Sequence, residues 1–347
     1  MAERTLTDGE LNRALLARQL LLEREALPVE RAIERVGGLQ TQYAPSGYIS
    51  LWSRLPGFAR DELTRALEGR RVLQGTLMRS TIHMVSAPDY RLFAEGVRRA
   101  RREWWLRQQR GRGEAARLQA AAERVREILA AEGSCRRRDL VARLGGDSVL
   151  WNGVGMWVDL VRVPPSGTWD HRRADLYALA DDWLRPGAAT AEEGLDHLLR
   201  RYLGGFGPAP LKDAASWAGI PAPLLAPSVE RLRLRRFRDE RGAELLDLPR
   251  APLPDAETPA PVRFLATWDA TLLVHARRTR ILPEPLRPRL FNTKTPHSFP
   301  TFLVDGRVAG TWRHESGRIA LEPFGRLGRD AQRALREESE GLADFMA

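Results

Sequence analysis

Gln40 and Gln42 stand two positions apart in the segment Gly37-Gly38-Leu39-Gln40-Thr41-Gln42-Tyr43-Ala44-Pro45, directly after a glycine pair. Each carboxamide offers one carbonyl acceptor and two N–H donors. In an extended chain, positions i and i+2 face the same side, whereas a helix turns them apart. An extended segment here would aim both amides at one place. There they could hold one water between them or read the edge of a base. The same spacing also suits amides that cap the preceding helix or rest in solvent.

Other chemistry is thinly represented. The sequence has no P-loop, no G-x-G-x-x-G after a strand, no G-x-S-x-G and no H-E-x-x-H. The six histidines, His83, His171, His197, His275, His297 and His314, lack metal-ligand spacing, so neither a metal nor a cofactor is expected. Gly204-Gly205-Phe206-Gly207 follows a helix and precedes Pro208, which reads as a C-cap and loop. The single cysteine, Cys135, excludes an internal disulfide framework and a cysteine-built metal site. No apolar run approaches the ~20 residues that span a bilayer. No signal-peptide core follows Met1, and a cytoplasmic, nucleoid-associated protein is expected. The 55 Lys and Arg outnumber 45 Asp and Glu, for a net charge of +10, which favours a polyanionic partner. Only Lys212 and Lys294 are lysines.

The elements that would position these residues can be read from caps and periodicity. Thr7-Asp8-Gly9-Glu10 and Thr190-Ala191-Glu192-Glu193 fit the capping box, as does Ser86-Ala87-Pro88-Asp89. Leu11, Leu15, Leu16 and Leu20 follow the first at helical spacing. Pro28 opens a second helix that Gly37-Gly38 stops, and further helices are expected at about 46–55 and 60–69. Residues 72–77 and 80–85 form a candidate hairpin, and a long helix then runs to about Gln109. A second round has helices at about 114–131, from Ser134 to Leu144, and at 148–160, then extended stretches around Ser166-Gly167. A third has helices near 194–203, 209–218 and 222–232, then strands at 234–237 and 244–248. Three helices followed by a small hairpin, three times over, is the plan of the winged helix, a DNA-binding variant of helix-turn-helix. Arg250–Pro261 reads as a proline-rich linker. Beyond it, strands are expected at 262–266, 271–274, 301–304, 308–312 and 319–321, with a turn at Asp305-Gly306-Arg307 and a final helix from about Arg329. The expected fold class is mainly α with small β elements. Its units are winged helices at 1–110, 111–187 and 188–250, and a β-rich module with a C-terminal helix at 262–347.

Three segments carry a resemblance across nearly the whole chain, in order. They are Gly38-Leu39-Gln40-Thr41-Gln42, Arg79-Ser80-Thr81-Ile82-His83 and the run from Trp268 to Arg280. Together with the hairpin from Val304 to Trp312, they resemble the winged-helix DNA glycosylases that include AlkZ and YcaQ. The glutamine at position 40, where the YcaQ type has histidine, favours the AlkZ-like branch. Thr41 departs from the aliphatic residue usual between the pair. The resemblance implies three tandem winged helices joined to a β module, acting on double-stranded DNA that carries alkylated purines. It implies Gln40 and Gln42 as the catalytic pair, and unhooking of interstrand crosslinks made by genotoxic natural products in self-resistance.

That chemistry suits amides. An N7-alkylated guanine is already cationic, so its glycosidic bond breaks toward an oxocarbenium-like sugar without a strong general acid. The enzyme must place a water and stabilise developing positive charge. A lyase step needs an amine nucleophile, and the scarcity of lysine favours a monofunctional hydrolase. His83 and Arg79 are expected to line the lesion site, and Asp269 either supports the sugar cation there or only caps and hydrogen-bonds locally. Arg277, Arg278, Arg280 and Lys294 either meet DNA phosphates or form a solvated basic surface, Arg307 is expected to bind DNA, and the hairpin around Gly306 either enters a groove or is an ordinary turn. In the run from Arg98 to Trp105, the tryptophans read as core and the arginines as backbone contacts. No obligate protein partner is inferred. The rival reading is a non-catalytic winged-helix DNA-binding protein or transcription regulator, because fold does not dictate function.

Overall fold

A computed structural model describes residues 4–109, 114–273, 279–292 and 297–347. Helices hold 47% of the chain and strands 17%, a mixed α/β architecture in which helix predominates.

Strand β1 (Thr5–Leu6) leads into α1 (Asp8–Arg18), where Thr7 and Glu10 form the reciprocal capping box that the sequence announces. Helix α2 (Val29–Arg35) ends at Gly37 and Gly38, whose φ of 80° and 87° are conformations that a Cβ disfavours. The chain leaves that turn extended, as β2 (Leu39–Gln40), before α3 (Pro45–Trp52) and α4 (Arg60–Glu68). Strands β3 (Val72–Thr76) and β4 (Ile82–Ser86) form the expected hairpin, followed by the long α5 (Ala87–Gln109).

The second round comprises α6 (Glu114–Glu132), β5 (Cys135–Arg136), α7 (Arg137–Arg143), α8 (Ser148–Val154), β6 (Leu160–Arg162), β7 (Leu176–Leu179) and α9 (Ala180–Trp183). Ser134 does not cap a helix, because Cys135 and Arg136 pair with Tyr177 and Leu176 and α7 starts only at Arg137. Helix α8 stops at Gly155, short of the expected Leu160. The third round comprises α10 (Ala191–Phe206), α11 (Leu211–Ala218), α12 (Ala226–Arg231), β8 (Arg235–Asp239) and β9 (Glu244–Asp247). Thr190 caps α10 with Glu193.

These rounds are fused to one another. One six-stranded sheet runs β2-β4-β3-β6-β7-β5, joined across the first two rounds by antiparallel pairing of Gln74 with Arg162 and Gly75 with Val161. Strand β1 pairs in parallel with β8, and α1 is tied to β9 by the fully buried Arg18–Asp247 pair at 2.6 Å. A shared apolar core takes residues from all three, including Leu15, Phe93, Val161, Leu199 and Trp217.

Residues 250–261 contain no helix or strand. Strand β10 (Arg263–Leu265), α13 (Arg287–Leu290), β11 (Phe291–Asn292), β12 (His297–Ser298), β13 (Thr301–Val304), β14 (Arg307–Glu315), β15 (Arg318–Pro323) and α14 (Arg329–Met346) complete the chain. The sheet β10-β13-β14-β15 packs with α14 on the apolar faces of α2, α3 and α4. The strand expected at 271–274 is a turn at Thr271–Leu273, and Val274 lies outside the described residues. Asp305 and Gly306 both have positive φ, 45° and 71°, the geometry that a two-residue hairpin requires. Among the described residues, no helix is long and apolar enough to cross a membrane.

Candidate functional site

The glycine turn places β2 beside β4, with Leu39 opposite Met84 and Gln40 opposite His83. The Thr41 amide continues the pairing by donating to the Ile82 carbonyl at 2.9 Å. Thr41 is buried, and its hydroxyl accepts from Gln74 Nε2 at 3.2 Å. A polar residue is therefore satisfied behind the pair, where an aliphatic one would only pack. The alternation of an extended chain then sends Gln40 and Gln42 to the opposite face.

There the two amides meet. Gln40 Nε2 donates to Gln42 Oε1 at 2.6 Å. Arg79 Nη2 donates to Gln40 Oε1 at 2.7 Å, and its other terminal nitrogen donates to the Trp217 carbonyl. A guanidinium can only donate, so it fixes the Gln40 oxygen toward itself and the amide nitrogen toward Gln42. Gln40 is 7% exposed, whereas Gln42 lies open to solvent. Arg79 is held at φ 51° and ψ 22°, and Ser80 at φ 57°. Left-handed conformations at two adjacent non-glycine residues cost on the order of 1–3 kcal/mol each, a strain that clusters at functional sites.

His83 shares the row with Gln40 and is buried, and its Nδ1 donates to the Thr81 carbonyl at 3.0 Å. Burial, then the nearby Arg79 and Arg101 charges, lower its pKa to about 3, so the ring is neutral. The unfolded chain titrates near 6.5, so the folded state binds fewer protons between the two values. Stability is therefore full above about pH 6.5 and is lost as pH falls toward 3. In urea unfolding between pH 7 and 5 (~1.4 kcal/mol per unit at most), His83→Leu is expected to flatten the loss by up to about one proton at the acid end. An unchanged slope would contradict the neutral buried ring.

Around the pair, Tyr43 is 40% exposed directly after Gln42. Its hydroxyl accepts from Arg172 at 3.0 Å, and that guanidinium sits 5.9 Å from the rings of both Tyr43 and Trp169. Asp269 is held by other partners. It is buried, with Arg54 Nη1 at 3.0 Å and Nη2 at 3.1 Å and the Thr271 amide at 2.9 Å. Burial pushes its carboxyl up, but Arg54 and Thr271 outweigh that and hold it below the usual carboxylate range. Among the described residues, none of its hydrogen-bond partners belongs to the glutamine cluster.

The turn at Gly306 packs on α1, where Asn12 Nδ2 donates to the Gly306 carbonyl at 2.8 Å and Arg13 pairs with Asp305 at 2.6 Å. The turn is docked through its buried Gly306, while Asp305 and Arg307 on either side are exposed. Arg307 beside it is exposed, and the Arg280 carbonyl accepts from Asn12 at 3.1 Å. Arg277, Arg278 and Lys294 lie outside the described residues. Among the described residues, no group of three or more His, Cys, Asp or Glu could hold a metal ion.

Sequence reasoning missed Arg54, Gln74 and the Trp217 carbonyl, whose roles depend on contacts across distant segments. It did single out the Arg98–Trp105 run, which splits by helical face. Arg98 pairs with Asp159, Arg99 with Glu103, and Arg101 is buried. Trp105 is core as expected, but Trp104 is 45% exposed.

A family model described as DNA glycosylase AlkZ-like matches residues 33–345. Among solved structures, the chain is similar to the Streptomyces sahachiroi DNA glycosylase AlkZ, with a TM-score of 0.81 and 18% identity over 99% of this chain and 97% of that one. No curated protein matches.

Proposed function

The chain belongs to the AlkZ-like DNA glycosylase family, and from that premise we propose that it is a monofunctional enzyme hydrolysing the N-glycosidic bond of N7-alkylated guanine. Gln40 and Gln42 are the catalytic pair in this reading, and the contact between their amides, oriented by Arg79, is the observation that carries it. Each carbonyl has two lone pairs, so the described contacts leave one on each oxygen. A water donating to the outward lone pair of Gln42 turns its own lone pair to the sugar. The carbonyl dipoles oppose the positive charge growing there as the neutral base departs. His83 is a neutral wall, which keeps one more cation away from the sugar.

The three helix-and-hairpin units at 1–110, 111–187 and 188–250 act as winged helices on duplex DNA, with the module at 262–347 beside them. The recurring element order supports this. Arg277, Arg278, Arg280, Lys294 and Arg307 meet phosphates. The exposure of Gln42 supports substrates whose base stays tied to the other strand, including interstrand crosslinks made by bifunctional alkylating natural products. Lys212 is exposed on α11 and outside the cluster, in keeping with hydrolysis without a lyase step.

Incubation with duplex DNA bearing N7-methylguanine should release the base and leave an abasic site that breaks only on alkali treatment. Binding without abasic product would reduce the protein to a binder, and borohydride trapping of a covalent complex would overturn the monofunctional assignment. Arg79→Ala frees the Gln40 amide to rotate. The single-turnover rate is expected to fall by roughly ten- to a hundredfold, since small misplacements are costly, and Arg79→Lys should recover part of it. An unaltered rate in Arg79→Ala would remove the guanidinium from the mechanism.

A further inference from the structure

A cavity of about 350 Å³ opens between α5, the segment 155–162 and β7, reaching Thr76 and Ser80 on the hairpin that carries Arg79. It sits at the small end of the ~300–1,000 Å³ range of ligand sites. It lies on the sheet that carries the glutamines. Gln40, His83, Gly75 and Val161 stand in one row across β2, β4, β3 and β6, and the cavity is lined by the next residues along the strands, Thr76 on β3 and Arg162 on β6. Three strand spacings, roughly 14 Å, separate the ends of that row.

Three guanidiniums line the cavity: Arg101, Arg137 and Arg162. Arg101 is buried, donates to the Thr76 carbonyl at 2.8 Å, and has a buried Nε with no hydrogen-bond partner. Arg162 donates to the Thr76 hydroxyl at 3.0 Å. Among the described residues, none of the three meets a carboxylate. The one acid in the lining, Asp159, is taken by Arg98 at 3.1 and 2.9 Å. Trp104 also lines the cavity while 45% exposed. Uncompensated positive charge calls for an anion, and an open indole face calls for a planar ring. DNA supplies both in one unit, a phosphate with its base. The lesion itself fits badly, because an N7-alkylated guanine is a cation and three guanidiniums repel it.

We infer that this cavity receives a nucleotide flanking the lesion, with its phosphate against Arg101, Arg137 and Arg162 and its neutral base against Trp104. The inference rests on the reading of the lesion as cationic N7-alkylguanine. Drawing a neighbour out of the stack opens the duplex beside the damaged base without closing a pocket over that base.

The probe is a duplex with a tetrahydrofuran abasic analogue at the lesion position and 5-iodouracil at either flanking position, photolysed with the full-length protein. A crosslink mapping to Trp104 from one flank is the expected result. Trp104→Ala should abolish it and weaken binding of the same duplex roughly tenfold, with undamaged duplex little affected. Arg137→Ala should reduce the salt slope of binding by about one. Crosslinks absent from Trp104 at both flanks, or a Trp104→Ala protein that binds like wild type, would overturn the subsite. Failure of the wild type to release N7-methylguanine would instead remove the reaction, and a Trp104 crosslink would still report the flanking nucleotide.

Discussion

Single-turnover excision of N7-methylguanine is expected to fall by about 100- to 1,000-fold in Gln42→Ala, the scale on which one oriented polar group acts at a transition state. Gln40→Ala should lose a similar factor by a different route. It removes the donor that holds Gln42 and strands the Arg79 guanidinium, which is left with the Trp217 carbonyl. The two amides and Arg79 form one chain of hydrogen bonds, so the double variant should be little slower than the slower single one. Gln42→Glu keeps an acceptor oxygen and should retain more activity than Gln42→Ala. Wild-type rates in Gln42→Ala, measured against the spontaneous depurination of the same duplex, would end the assignment of the pair.

How much of this was legible in the residues differs from element to element. The glycine pair and the i, i+2 spacing state the whole local geometry, since a left-handed turn followed by an extended strand leaves the two side chains one side to share. The capping boxes at Thr7 and Thr190 are equally local and equally readable. Arg79 was suggested by its place beside the hairpin, but its two contacts depend on where β2 and α11 come to rest. The pairing of β3 with β6 joins residues 74 and 162, and no spacing along the chain encodes it. For Asp269 the sequence leaves two roles open, one at the sugar and one in local hydrogen bonding. An acid within a resembling segment invites a role at the sugar, and only the burial of Arg54 from α3's C-terminal side shows where its charge goes.

The second large effect follows from that pair. Asp269→Ala leaves the Arg54 guanidinium buried without a counter-ion, and the expected loss of stability is about 3–5 kcal/mol. Excision per folded molecule should be nearly unaffected, because the carboxylate touches none of the glutamine cluster. The folded-state pKa of Asp269 lies below its ordinary value. Its contribution is thus present above about pH 4 and is lost as pH falls through the lowered value. Wild type should therefore lose stability in that acid range, and Asp269→Ala should lack this component. Replacing both partners, Arg54→Met with Asp269→Leu, should be less damaging than either single change. A folded Asp269→Ala protein of normal stability that no longer excises would move this carboxylate to the sugar.

The strand pairing that fuses the first two units has a mechanical consequence. Hydrogen bonds between β3 and β6 tie the end at the glutamines to the end at the Arg101 cavity through one continuous sheet. A duplex engaging both ends must do the yielding, and its cost depends on how easily its base steps unstack. Two sites with identical damage but unequal neighbours would then be repaired at unequal speed, through the stiffness of the DNA alone.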